Sequence, residues 1–230
     1  MNGPKIMFII PKLNIPVSET VTTTWLIMIG LTLFAYFGTR KLNKVPRGFQ
    51  IIIEAIVDGL YSIVKQTMGE DKMRFAPYIG SLFLFFMCSN LIGLLGLRSP
   101  TTDLNTTLAW SLITFCMIHY NGVKSKGLGK YLKGFTEPVS AMLPLNIVGE
   151  LATPISLSFR PFGNITGGMV IMMLLYQLLA FLSGLIGIGI PILQVGIPSV
   201  LHIYFDLFSG VLQAFIFIML TMVFVSSAID

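Results

Sequence analysis

The chain has 230 residues, 54% of them hydrophobic and only 11% charged, and its mean hydropathy is +0.84. That balance excludes the water-facing surface of a soluble globular domain. The net charge of +5 does not point to nucleic acid, because the basic residues gather in short segments between apolar runs and not along an aromatic-interleaved face.

The charges are bunched, leaving uncharged runs of 20 residues after Glu19, 23 after Arg74, 20 after Asp103, 45 after Arg160 and 23 after Asp206. Each is long enough to cross about 30 Å of hydrocarbon as a helix, so the expected fold is an all-α polytopic membrane protein forming a single membrane domain. In chain order, residues 1–20 read as an outer N-terminal segment. Its apolar stretch between Lys5 and Pro11 is too short for a signal-peptide core. Residues 21–38 read as the first span, and the basic cluster from Arg40 to Arg47 puts its end in the cytoplasm.

Over 46–69 the polar residues Gln50, Glu54, Asp58, Ser62 and Lys65 recur every three or four positions among aliphatic ones, which predicts an amphipathic helix lying in the interface. Spans follow at 75–97 and 104–123, then an inner basic loop and short helix at 124–142. Eleven Lys and Arg fall on the inner side of these spans against three outside, so the N-terminus is expected outside and the C-terminus in the cytoplasm. Two long arms, 143–182 and 199–228, form a helical hairpin too long to stand perpendicular to the bilayer, joined by a Gly/Pro-rich turn over 184–198.

Arg160 is the only Lys or Arg after residue 133 and lies in mid-arm. Helical spacing puts Asn146, Glu150, Thr153, Leu157, Arg160, Asn164 and Gly167 on one stripe of the first arm, and His202, Asp206, Gly210 and Gln213 on one stripe of the second. Asn90 adds an amide in the second span. Ionisable groups at membrane depth cost about 2.5–3.5 kcal/mol each on insertion scales, which favours a functional reading, and ion translocation fits it. A structural pair of Arg160 with Glu150 or Asp206, and plain interhelical hydrogen bonds at Asn90, Asn164 and Gln213, are the alternatives. Gly163 and Gly167 read as a small-residue packing pair; His119 reads as an interfacial residue. Cys88 and Cys116 sit in apolar runs and receive no role.

The run Pro154-Ile-Ser-Leu-Ser-Phe-Arg160-Pro-Phe-Gly-Asn164, with Leu212-Gln-Ala-Phe-Ile-Phe217 about fifty residues later, resembles the signature of the a subunit of F-type ATP synthases. The resemblance extends along the chain and implies the stator half of an ion channel. Its partners would be a ring of c subunits, the b subunit of the peripheral stalk, the lipid bilayer and transported H+ or Na+, with no cofactor and no catalysis of its own. It implies an ion path through Arg160, Asn164, Asp206, Gln213, Glu150, Asn90 and His202, in a bacterial plasma membrane. Two departures stand out: Met169 occupies a position where many relatives carry an acidic residue, and Pro161 follows the arginine, freeing the Leu157 carbonyl. A stand-alone transporter or channel is the alternative, though only the C-terminal half is polar at depth. An intramembrane enzyme lacks a nucleophile with a base, or a metal-ligand spacing, to work with.

Overall fold

A computed structural model describes residues 5–10, 15–40, 42–137, 139–185 and 193–230. Helix dominates because every backbone polar group in hydrocarbon must be satisfied within its own segment. The exception is a hairpin of β1 (Ile6–Ile10) and β2 (Ile15–Ser18), antiparallel with Ile10 opposite Ile15, at the head of α1 (Glu19–Thr39). The sequence reading did not anticipate these strands. In the first turns of α1, Thr22, Thr23 and Thr24 return their hydroxyls to carbonyls four residues back, which hides three polar groups in an otherwise apolar helix.

The amphipathic helix α2 covers Phe49–Met68, and a 3-10 stretch, Glu70–Phe75, leads into α3 (Ala76–Leu91). The α-helical part of this second apolar run stops at Leu91 and not at 97, since Ile92–Leu95 tightens into a 3-10 turn that Gly96 closes in the left-handed region. Asp103 then caps α4 (Leu104–Lys126), accepting from the Asn105 N–H at 3.0 Å, and also accepts from the Thr20 hydroxyl at 3.2 Å. Gly127, at φ +78°, turns the chain into α5 (Leu128–Gly134). The first hairpin arm is one helix, α6 (Leu143–Leu185), continuous through Pro154 and Pro161. Its 43 residues run about 64 Å, twice the hydrocarbon thickness, so it must tilt. The second arm begins earlier than residue 199: α7 covers Leu193–His202 and a π-helical turn, Ile203–Phe208, joins it to α8 (Ser209–Ile229). Most of the turn expected at 184–198 lies outside the described residues or within α7.

Four described stretches are long and apolar enough to cross a membrane: Glu19–Thr39, Glu70–Leu95, Ser140–Leu185 and Gly196–Ile229. The chain is an all-α polytopic membrane protein. Helix α4 has the length but not the apolarity, and the reason is one stripe. Thr107, Ser111, Thr114 and Asn121 are buried along the side that packs on α6 and α8. Small polar residues let helix backbones approach closely there.

The packed centre lies between α3, α4 and α8. Phe86 stacks on Phe217 at 4.5 Å and meets Trp110 at 4.5 Å, while Val64, Ile79, Ile118, Ile218 and Met222 fill the end nearer α2. Lys72 fastens that end, donating to the Ser226 hydroxyl at 2.8 Å and to Asp230 at 2.5 Å.

Candidate functional site

The expected polar stripe on α6 is divided between two environments. Pro154, Leu157, Ser158, Pro161, Gly168 and Met172 form the buried side, while Arg160, Gly163 and Asn164 are exposed in the isolated chain. Leu157 is therefore a packing residue, 3% exposed, and no part of a polar path. Among the described residues Arg160 has no ion pair and no hydrogen bond within the chain, so neither Glu150 nor Asp206 neutralises it. Beside it the surface is open: a Cβ at Gly163 or Gly167 would meet nothing within 4 Å, whereas one at Gly168 would press on Phe205 at 3.3 Å. Within this chain the close approach is made by Gly168, not by the pair singled out from spacing.

One turn beyond Arg160, Asn164 Nδ2 donates to Gln213 Oε1 at 2.6 Å, linking the two arms. Gln213 is 1% exposed and its Nε2 has no partner among the described residues. A turn earlier on α8, the Gly210 carbonyl accepts from Asn90 Nδ2 at 2.7 Å, and the Asn90 Oδ1 is likewise buried without a partner. Gly210 eases this contact, since a Cβ there would lie 3.3 Å from the Asn90 Cβ, tighter than an ordinary van der Waals contact. The three amides thus leave one free donor and one free acceptor inside the protein, which suits contact with water or a passing ion.

His202 and Asp206 form a second cluster, with Nδ1 2.5 Å from the Asp206 Oδ2. The stripe drawn through His202, Asp206, Gly210 and Gln213 is not one α-helical face, because Ile203–Phe208 is π-helical and turns the register between the acid and the glutamine. Asp206 meets His202 four residues back, as the spacing predicts, while Gln213, beyond the π-helical turn, meets Asn164 on α6. Tyr176, which the sequence reading missed, reaches His202 Nε2 with its hydroxyl at 3.2 Å.

At the opposite end of α6, Glu150 lines a cavity of about 570 Å³ together with Asn146, Thr153, Lys130, Tyr131 and Phe224. Asn146 does not face the arm's polar stripe alone; it donates to the Phe135 carbonyl at 2.8 Å, closing the loop between α5 and α6. Burial, and then the negative charge of Glu150, push the Tyr131 phenol above its ordinary value. His119, expected at the interface, is half-buried and turned toward α5. Its Nδ1 is 2.5 Å from the Tyr131 hydroxyl, and its Nε2 is buried without a partner. Gly122 allows the phenol ring in, since a Cβ there would come within 2.6 Å of it. No spacing signal links His119 with Tyr131 or Tyr176 with His202, because each pair joins separate helices. Among the described residues no group of His, Cys, Asp and Glu could hold a metal ion.

Fold and site together define a multi-pass helical membrane protein with a permanent cation and three polar clusters along one long hairpin. The family described as ATP synthase A chain matches residues 21–226. The chain is 36% identical to the sodium-ion-specific ATP synthase subunit a of Propionigenium modestum, over all of this chain and 86% of that protein. It is 33% identical to ATP synthase subunit a of Moorella thermoacetica, over 93% of this chain and 91% of the relative. A further relative, ATP synthase subunit a 2 of a Bradyrhizobium species, is 36% identical over 94% of this chain and 90% of its own length. The chain belongs to the ATP synthase A chain family.

Proposed function

We propose that this chain is the ion-translocating stator subunit of an F-type ATP synthase, offering two offset half-channels to the carboxylates of a c-subunit ring. The observation that carries the reading is Arg160: an exposed arginine, unpaired among the described residues, standing on α6 between Glu150 on one side and the Tyr176–His202–Asp206 cluster on the other. Guanidinium stays protonated under essentially all conditions, so it can hold and release a passing carboxylate without losing its own charge. The open surface at Gly163 and Gly167 leaves room for a partner helix beside it.

In this reading an ion enters from outside at His202 and Asp206, passes the amides of Gln213, Asn164 and Asn90, and neutralises a ring carboxylate. The neutral carboxylate can travel through lipid. After nearly a full turn it arrives from the other side, loses its ion into the cavity beside Glu150, and pairs with Arg160 for a moment. Glu150 is ten residues from Arg160, about 15 Å along α6, and the cation between the two clusters blocks a direct leak. Each unit charge falling through 100 mV supplies about 2.3 kcal/mol, so several ions must be pooled for one ATP, and a rotor does that pooling. Catalysis belongs to other subunits, and the b subunit of the peripheral stalk would brace this one.

The basic clusters at Arg40–Arg47 and Lys124–Lys133 support a cytoplasmic face for the Glu150 cavity, an outer N-terminus and a cytoplasmic C-terminus in a bacterial plasma membrane. The test is ATP-driven ion uptake by the whole reconstituted complex, with and without Na+. Stimulation by Na+ with uptake of that ion identifies a sodium path, and acidification indifferent to Na+ identifies a proton path. ATP hydrolysis undiminished by Arg160→Ala together with full ion uptake would overturn the reading.

A further inference from the structure

Tyr176 is on α6 and His202 on α7, 26 residues later, yet the phenol oxygen lies 3.2 Å from the ring Nε2. The other ring nitrogen, Nδ1, is 2.5 Å from Asp206 Oδ2. An ionised carboxylate can only accept, so the imidazole proton sits on Nδ1, and Nε2 is an acceptor that the Tyr176 O–H fills. The tyrosine backbone is held as well, since Gln194 Nε2 donates to its carbonyl at 2.7 Å. These bonds join the arms of the hairpin through the very ring that touches Asp206.

The charged and titratable groups on the packed elements are few. Besides Asp206 on the π-helical turn, Tyr176 is the one that α6 brings to the imidazole. Arg160 is sixteen residues back along that helix, about 24 Å away. Tyr204 stacks on Phe208, and α3 carries no charge.

We propose that Tyr176 is a positioning residue of the outer half-channel: its hydroxyl reinforces the His202 tautomer that Asp206 favours and holds the ring plane so that Nδ1–H points at Asp206, which weakens the grip of that carboxylate on the entering ion. The inference rests on the reading of Asp206 as the outer ion-accepting group. The sign follows from competition. An N–H donor stabilises the free carboxylate, and any ion or proton that binds must displace or neutralise that bond. Without the phenol O–H the Nδ1-protonated tautomer loses one of the two bonds that favour it and the ring loses its fixed plane, so the N–H bond to Asp206 weakens. The carboxylate then holds its ion more tightly and passes it on more slowly.

The experiment uses the whole ATP synthase in vesicles, with synthesis driven by an imposed potential while the outer proton concentration, and in parallel the outer Na+ concentration, is varied. Tyr176→Phe, which keeps the ring and removes only the oxygen, lowers the half-saturating outer ion concentration about fivefold, the factor one ordinary hydrogen bond produces. The maximal rate falls with it, while the assembled complex is recovered in normal amount. In a His202→Gln background the same change produces no further shift, because the ring through which Tyr176 acts is gone. An unmoved half-saturation point, a shift that persists without His202, or a maximal rate that falls alone would overturn the positioning role. Full activity of Asp206→Asn would instead overturn the outer-path reading itself; an inactive Asp206→Asn beside an unaltered Tyr176→Phe rejects only the role of the tyrosine.

Discussion

Asn164 gives its side-chain N–H to Gln213 across 2.6 Å, one helical turn from Arg160, and this is the one side-chain bond among the described residues that joins α6 directly to α8. It keeps the amide of the second arm level with the cation of the first. Replacing Gln213 by Leu leaves the Asn164 donor without its partner, and replacing Asn164 by Leu leaves a second unpaired atom on a glutamine that is 1% exposed. Each single variant is expected to lower ATP-driven ion uptake. A double-mutant cycle on uptake rates should return a coupling of about 0.5–1.5 kcal/mol. Strictly additive losses would show that the two amides work separately.

Arg160→Lys keeps a positive charge but gives up the planar fork and the fixed protonation. The expected outcome is loss of coupled transport with normal copurification of the membrane sector, because the arginine makes no bond to any described residue that would hold the fold. Proton or Na+ uptake at the unmodified rate by the Lys variant would refute this.

Gly122→Ala tests the packing at the Glu150 cavity. The added methyl would stand 2.6 Å from the Tyr131 ring and 3.4 Å from the Ala228 carbonyl, so either α5 or the phenol must move. Overpacking of this kind costs about 1–3 kcal/mol. A lowered unfolding temperature of the detergent-solubilised complex, recovered on combining it with Tyr131→Ala, is the expected result. A variant as stable as the parent would mean that α5 gives way freely.

The end of α8 should respond to acid. The Lys72 ammonium, bonded to Asp230 at 2.5 Å, holds that side-chain carboxyl below its ordinary value. A carboxyl lowered in the folded state contributes stability above its unfolded value, about 3.9, and that contribution is lost as pH falls through the lower folded value. Protection of the amides in the last turn of α8, taken relative to their intrinsic exchange at each pH, should fall in this acid window, and Lys72→Met should remove that fall. Protection that is flat below pH 4 in the unmodified protein would count against it.

Much of the architecture is legible in the spacing of charges. The uncharged runs after Arg74, Arg160 and Asp206 became helices because hydrocarbon leaves a chain few other options, and an isolated Arg160 is conspicuous for the same reason. What stayed hidden depends on contacts between helices. Tyr176 is an ordinary residue of an apolar arm until α7 folds back and brings His202 to it. The register change at Ile203–Phe208 has no residue signature, so Asp206 and Gln213 looked like neighbours on one face. The β1–β2 hairpin escaped notice because its five apolar residues were weighed as a targeting core and not as a strand.

Helix α4 sets a timetable for making the protein. Thr107, Ser111, Thr114 and Asn121 are buried only after α6 and α8 are beside it, and both are encoded later in the chain. At about 5–20 residues per second, the hundred or so residues between Lys126 and Ile229 take on the order of 5–20 s to synthesise. For that interval the newborn chain holds a helix whose most polar side has no protein to face. Thr107, Ser111 and Asn121 bridge that interval by bonding carbonyls of their own helix, so the side waits for the hairpin with most of its polar atoms already satisfied.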